Sequence, residues 1–270
     1  MSISRIGVIG LGFGSRYITN ALDLGYKVKQ AAGGIEKFQN NVLQKGYDVE
    51  IWHSDWRKMQ FGLLDWLVIA SPPHNRLEII EKAIKENVNI ICEKPVCLRK
   101  RELDQIDYLV NNRDYTGKFV VNFTDFWADN ITSFFSYNEY ISNENLKLSC
   151  FGSGPERDYS AFLDWGIHPL AVVCELSKTK CVEKLRIESV ISEDKNHGSV
   201  KITDQANNKY IVTAGNKGDF KLIQYNSKAY NYKREGNSIK NLLSKLSVVE
   251  SNWDLACRAH NLAFKILDQI

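Results

Sequence analysis

Cysteine is sparse. Six thiols are spread over 270 residues, and no two of them form a CxxC pair. That spacing argues against a zinc or dithiol motif, and the low count argues against a disulfide framework. Free thiols in a reducing compartment and no metal site are expected. No block of lysine or arginine stands out, and the formal net charge is only +3. Neither nucleic acid nor an acidic membrane surface is therefore implied as a partner. No apolar run approaches the ~20 residues that a membrane helix needs. No basic segment leading into an apolar stretch is visible at the N-terminus, and the chain reads as soluble and cytoplasmic. Internal repeats and low-complexity segments are also lacking. What remains is an ordinary globular composition, 44% hydrophobic and 25% charged. The length is comfortable for two domains of roughly 100–150 residues.

The first 120 residues alternate short apolar runs with helical spacing. Ile6–Ile9, Tyr26–Ala32, Leu67–Ala70, Asn89–Cys92 and Lys118–Phe123 read as strands. Tyr17–Leu24, Phe38–Lys45, Leu77–Lys85 and Leu103–Val110 read as helices. The runs are continuous, as in parallel strands covered on both faces, so parallel βαβ units are expected. Beyond residue 120 the texture changes. Asn145–Phe151, Val182–Ile191, Val200–Thr203, Lys209–Ala214, Phe220–Tyr225 and Lys228–Lys233 read as strands. Turn clusters such as Ala206-Asn207-Asn208 and Gly215-Asn216-Lys217-Gly218 suit antiparallel pairing. Helical patterns around Ser238–Leu246 and Trp253–Leu267 follow.

The segment Ile6-Gly7-Val8-Ile9-Gly10-Leu11-Gly12-Phe13-Gly14-Ser15-Arg16-Tyr17 carries the first chemistry. Gly10 makes the tight turn out of the strand, and Gly12 lets the backbone approach a pyrophosphate. A helix starting near Gly14 aims free N–H groups at that phosphate. Phe13 and Arg16 border the same turn. Ser15 stands at the third glycine of the GxGxxG spacing, small enough for close helix–strand packing. Following the first strand of a βα unit, this pattern indicates dinucleotide binding. The expected fold is therefore α/β: an N-terminal Rossmann domain with a parallel sheet over 1–120, then an α+β domain with a mainly antiparallel sheet over 121–270. An acid at the end of the second strand bonds the ribose hydroxyls and favours NAD. Here Ala32-Gly33-Gly34-Ile35-Glu36-Lys37 has none at the expected position. A carboxylate would repel a 2′-phosphate, so the cofactor is NADP or NAD, leaning to NADP. Either Lys37 or Arg16 supplies the compensating charge, or both are solvated surface residues.

Three further segments carry a family resemblance. Asp65-Trp66-Leu67-Val68-Ile69-Ala70-Ser71-Pro72-Pro73-His74-Asn75 resembles the fourth strand and following loop of the Gfo/Idh/MocA oxidoreductases. Glu93-Lys94-Pro95 resembles that family's EKP motif at the end of the fifth strand. Asp164-Trp165-Gly166-Ile167-His168 is similar to its DxGxH motif in the second domain. The resemblance is strong over residues 1–110 and good around Asp164–His168. It implies a cofactor site that includes Ser71, Pro72, Pro73, His74, Glu93 and Lys94. It also implies a catalytic group of Lys94, Asp164 and His168, and a Lys-Pro bond that is often cis in the family. Physical reading agrees. Ligands of open α/β sheets sit at the carboxyl ends of the strands, where Lys94 falls. Asp164 and His168, four residues apart, share one face of a helix. Gly166 between them leaves its backbone open to a sugar or ring.

The sequence also departs from the family. Asn122-Phe123-Thr124-Asp125-Phe126-Trp127 lacks the arginine that often follows the sixth strand, and Pro169-Leu170-Ala171-Val172 follows His168 without an acid. Asn122, Phe126 and Trp127 are candidate substrate contacts, the aromatics either stacking on a sugar ring or packing in the core. The function implied is hydride transfer between a nicotinamide cofactor and a carbinol or carbonyl carbon of a small carbohydrate-like substrate: a sugar, polyol or nucleotide-linked sugar. Two other readings stand beside it: an imine or tetrapyrrole-type reductase on the same scaffold, and a non-catalytic dinucleotide-binding regulator. The resemblance implies a homodimer or homotetramer through the C-terminal sheet, with Tyr210, Val212, Phe220 and Leu222 at inner or interface positions.

Overall fold

The computed structural model describes residues 4–44, 46–127, 145–152, 157–178, 181–216, 221–225, 228–232 and 237–270. Lys45, Lys217, Gly218, Phe220 and Lys233, placed in elements or turns by the sequence, lie outside the described residues. Two compact units form, one from residues 1–122 with 237–253 and one from 123–236 with 254–270. Among the described residues no helix is long and apolar enough to cross a membrane.

The first unit is built on β1 (Arg5–Ile9), β2 (Lys27–Ala32), β3 (Ile51–His53), β4 (Trp66–Ile69), β5 (Asn89–Glu93) and β6 (Phe119–Asn122). All pair in parallel in the order β3-β2-β1-β4-β5-β6. Val8, Leu67, Val68, Ile90, Ile91 and Val120 are fully buried. Strands covered on both faces need such uninterrupted apolar runs. The connecting helices are α1 (Leu11–Asp23), α2 (Ile35–Gln44), α3 (Arg76–Lys85) and α4 (Lys100–Val110). The strand order reverses between β1 and β4, the switch point at which open α/β sheets bind ligands.

Some elements differ from the sequence reading. The short edge strand β3 was not foreseen; its three residues are too few to show a period. Helix α1 begins at Leu11, not near Gly14, because Gly10 takes φ 91 and turns the chain within one residue. The strand expected over Val182–Ile191 starts only at Arg186, after a 3₁₀ turn over Val182–Lys184. Val182 and Leu185, both buried, are three residues apart. That spacing places them on one side of a helix with three residues per turn.

The first unit also recovers a late segment of the chain. Helix α7 (Ser238–Ser244) buries Ile239, Leu242 and Leu243 and packs on α1. Residues 251–253 then cover the free edge of β6. Asn252 accepts from the Val121 N–H at 2.7 Å and donates to the Val121 carbonyl at 2.9 Å. The Trp253 ring lies 4.8 Å from that of Phe119. An edge closed in this way offers no free ladder to another chain.

The second unit has the sheet order β12-β11-β7-β10-β9-β8. Its strands are β7 (Asn145–Phe151), β8 (Arg186–Asp194), β9 (His197–Thr203), β10 (Lys209–Gly215), β11 (Lys221–Tyr225) and β12 (Lys228–Tyr232). Only β7 and β10 pair in parallel; the other pairs are antiparallel. Its helices are α5 (Ala161–Asp164), α6 (Ile167–Leu176) and α8 (Trp253–Leu267), whose first residue belongs to the first unit. From Ile167 to Cys174 every residue of α6 is buried, the pattern of a helix enclosed on all sides. Tyr210 and Val212 are fully buried too, so they are core, not interface. Ile211 and Thr213 alternate with them and are half-buried. The side chain of Leu222 lies outside what the structure describes.

Asp164 and His168 do not share one helix as expected. Asp164 ends α5 and His168 is the second residue of α6. Pro169 explains the break: it has no N–H for the Trp165 carbonyl, and its ring excludes that carbonyl from a continuous helix. Gly166 is not open to a ligand either. A Cβ there would lie 2.8 Å from Phe162 Cα and 3.1 Å from Ala214 Cβ. The missing side chain lets α5 and α6 meet β10. Gly166→Ala should therefore cost about 1–3 kcal/mol through overpacking against backbone, measured by urea denaturation. An unchanged midpoint would show that the contact relaxes freely.

Candidate active site

The turn between β1 and α1 is crowded on two sides and open on a third. Gly10 is left-handed, and its N–H bonds the Ala32 carbonyl at 2.9 Å. A Cβ on Gly10 would lie 2.3 Å from the Ser71 nitrogen. Gly33, at φ 135, faces the same turn, where a Cβ would come 3.2 Å from the Leu11 nitrogen. Helix α1 has no side-chain cap, and its first internal bond runs from the Gly14 N–H to the Gly10 carbonyl at 3.0 Å. The N–H groups of Leu11, Gly12 and Phe13 therefore lack helical acceptors. Among the described residues, no neighbouring side chain or other element comes within 4 Å of a Cβ built on Gly12. Free donors, the positive end of a helix and an open approach fit a dinucleotide pyrophosphate.

Other residues of the turn have separate tasks. A Cβ on Gly14 would lie 2.8 Å from Val8 Cγ1. Close packing of α1 on β1 therefore falls to Gly14, not to Ser15 as expected, because the helix starts earlier. Ser15 is half-buried and donates its hydroxyl to the Gly12 carbonyl at 3.0 Å. The Arg16 guanidinium is exposed and stands 5.0 Å from the Phe13 ring centre. Gly34 has open space around it. Lys37 lies in α2, but its side chain is outside what the structure describes.

The carboxyl ends of β4 and β5 hold the next group. Ser71 precedes a 3₁₀ turn over Pro73–Asn75, in which Pro73 is buried and His74 exposed; Pro72, just before it, is exposed. Ser71 Oγ is buried without a hydrogen-bond partner among the described residues. Lys94 is half-buried, and the Lys94-Pro95 bond is cis. The Glu93 side chain is turned inward. Its Oε1 accepts from the Tyr17 hydroxyl and from Asn122 Nδ2, each at 2.7 Å. Burial and the nearby Glu93 charge push the Tyr17 phenol well above its ordinary range, so it remains a donor. Asn122, expected at the substrate, is fully buried, with its amide donating to Glu93 and to Tyr17 Oη. Its side chain belongs to the unit's interior.

Sequence reasoning missed Arg76. This residue is buried and donates to the carbonyls of Ser71, Glu93 and Pro95. A lone arginine in an exposed-looking helix start gave no signal of it.

In the second unit, Ser160 caps α5 by accepting from the Phe162 N–H at 3.2 Å. Asp164, buried at the end of that turn, forms an ion pair with Arg157, Nε to Oδ2 3.6 Å. His168 is fully buried, and its ring meets Phe123 edge-on at 6.2 Å. Phe126 and Trp127 are half-buried in a 3₁₀ turn over Thr124–Trp127, with the Phe126 ring 6.3 Å from Phe123. Asp125 stands in this turn and is buried. No group of three or more His, Cys, Asp or Glu residues among those described is placed to hold a metal ion.

Residues 4–122 match the model of an oxidoreductase family with an NAD-binding Rossmann fold, Gfo/Idh/MocA. No curated protein matches the sequence. Solved structures share the fold over almost the whole chain. Scyllo-inositol dehydrogenase from Lactobacillus casei, with bound NAD(H) and scyllo-inositol, superposes with a TM-score of 0.78 at 14% identity, covering 99% of this chain and 96% of its own. The UDP-N-acetylglucosamine 3-dehydrogenase GnnA from Acidithiobacillus ferrooxidans gives 0.76 at 13% identity, covering 98% and 97%. The 3-ketoreductase KijD10 from Actinomadura kijaniata, a variant in complex with TDP-benzene and NADP, gives 0.74 at 14% identity, covering 99% and 98%. The Gfo/Idh/MocA match thus covers the Rossmann segment at residues 4–122, and the likeness to solved dehydrogenase structures extends the shared fold over the whole chain.

Proposed function

We propose that this protein moves hydride between a nicotinamide cofactor and a carbinol or carbonyl carbon of a sugar, polyol or nucleotide-linked sugar. The observation that carries this reading is the open, uncapped glycine turn at the sheet's switch point, with Glu93-Lys94-Pro95 ending a neighbouring strand. An inositol dehydrogenase, a UDP-N-acetylglucosamine dehydrogenase and a 3-ketoreductase among the structural neighbours support the substrate class. When bound, the nicotinamide supplies the hydride acceptor or donor. The chain's own residues supply binding and proton handling. The turn at Gly10–Phe13 holds the pyrophosphate. Lys94 holds the substrate oxygen and stabilises negative charge developing on it. His168 takes or returns the hydroxyl proton, and Asp164 orients substrate and imidazole. Phe126 and Trp127 offer half-buried rings to a sugar face.

NADP is the preferred cofactor in this reading. Strand β2 ends at Ala32 and is followed by Gly33-Gly34, with no carboxylate there to repel a 2′-phosphate, and Arg16 on α1 is exposed. The assembly is a homodimer or homotetramer through the face of the second sheet that carries Ile211 and Thr213.

Each part has a test. Fluorescence titration should show NADPH binding at least as tightly as NADH; a clear preference for NADH contradicts the cofactor assignment. Light scattering at micromolar concentration should show a dimer or tetramer, and a monomer removes the proposed interface. Lys94→Ala should leave melting temperature and cofactor affinity unchanged while lowering turnover by ~10²–10³, the typical effect of one lost oxyanion donor. His168→Ala should lower turnover by roughly 10²–10⁴. The double variant should lose less than the product if both groups act on one oxygen. Near-wild-type turnover of Lys94→Ala on a cyclitol, sugar or nucleotide-sugar panel would sink the mechanism.

A further inference from the structure

We infer that Arg76 is a positioning residue for Lys94, its buried guanidinium joining the loop after β4 to the turn after β5 and fixing the backbone on both sides of that lysine. This rests on the reading of Lys94 as the residue that holds the substrate oxygen.

Arg76 is 3% exposed. Its Nε donates to the Ser71 carbonyl at 2.8 Å, and Nη2 donates to the same oxygen. Its Nη1 donates to the carbonyls of Glu93 and Pro95. One nitrogen thus holds the carbonyl just before Lys94 and the carbonyl just after it. Interior carbonyls need a donor, and here a single side chain serves two loops at once. Among the described residues no carboxylate forms an ion pair with Arg76. Main-chain dipoles surround its charge instead. A cation in that setting is tolerated only when its hydrogen bonds are all made, so the three carbonyls are held in a narrow geometry.

Helix stability does not explain this residue. Arg76 is the first residue of α3, where the helix dipole disfavours a positive charge. Its contacts account for its place. They also fall on a particular side of the sheet. Strands β4 and β5 lie beyond the β1–β4 switch point, in the second of the two mononucleotide-binding halves. In a dinucleotide site that half receives the nicotinamide. Arginine suits the task because its planar fork presents five donors in fixed directions from three nitrogens; lysine gathers its three donors on one freely rotating ammonium and has no such fork.

The test uses the whole chain with Arg76→Lys, which keeps the charge and loses the fork, and Arg76→Gln, which loses both. Each is compared with wild type for turnover and for binding of NADPH and of 2′-phospho-ADP-ribose, which lacks the nicotinamide. NADH and ADP-ribose are run in parallel. Amide hydrogen exchange is followed in peptides over residues 70–76 and 93–98. The expected result is a fall of about tenfold or more in turnover on any substrate the wild type accepts, the scale of charge-assisted hydrogen bonds, with near-wild-type binding of cofactor and fragment. Exchange should quicken in both loops and not in β5. Weakened binding of cofactor and fragment alike, as a merely structural role predicts, overturns the inference; so does unchanged turnover or unchanged exchange at 93–98. If neither variant folds, wild-type exchange decides. Amides at 93–98 as slow as those of β5 are expected, and exchange at the rate of an exposed loop overturns the inference. Failure of the dehydrogenase reading is separate: no hydride transfer with any sugar or polyol removes that reading, while the loop exchange still reports on Arg76.

Discussion

Backbone crowding at Gly10 is the constraint from which the first unit's chemistry follows. At this residue the chain leaves β1 in a left-handed conformation, bonds the end of β2 and touches the loop after β4. No side chain fits there. Because the turn is completed in one residue, α1 starts at once and directs its unbonded N–H groups across the carboxyl edge of the sheet. Gly14 then allows α1 to lie close on Val8. Placement of the helix and availability of its donors are consequences of one crowded position.

The same edge is stabilised by two polar arrangements below the surface. Tyr17, Glu93 and Asn122 link α1, β5 and β6 through a buried carboxylate. Arg76 links the loops after β4 and β5 through carbonyls. Between them Lys94 remains half-buried. Removing one partner from either arrangement would leave buried polar groups unsatisfied, which is costly in a low-dielectric interior. The geometry around Lys94 is accordingly set by buried groups on either side of it. Phe13 and Arg16, in contrast, are placed at the outer side of the turn by simple helix spacing.

Much of this was legible in the sequence because it depends on local rules. Continuous apolar runs marked the parallel strands, and strands β7 and β10 and helix α8 appeared at or within a residue of their observed bounds. The glycine spacing located the turn, and the motif at Glu93-Lys94-Pro95 fell at a strand end as expected. What escaped depends on tertiary context. The inward turn of Glu93 and Asn122 requires Tyr17, more than seventy residues earlier than either. Residues 251–253 cover β6 through an asparagine side chain that imitates a strand, which no periodicity announces. The broken helix at Trp165 was readable from Pro169, had its missing N–H been weighed against the four-residue spacing of Asp164 and His168. Arg76 carried no sequence signal at all, since its role exists only once three carbonyls converge on it.

Use of a nicotinamide to oxidise or reduce a carbon that bears oxygen is tested most directly by isotope transfer. The protein is incubated with oxidised cofactor and a panel of cyclitols, sugars and nucleotide-linked sugars carrying deuterium on their carbinol carbons, and the reduced nicotinamide is examined by mass spectrometry and NMR. The expected result is deuterium at the C4 position of the ring, delivered from at least one substrate and at a rate ~10²–10³ lower in Lys94→Ala under the same conditions. Cofactor that binds with no deuterium received from any member of the panel would contradict it.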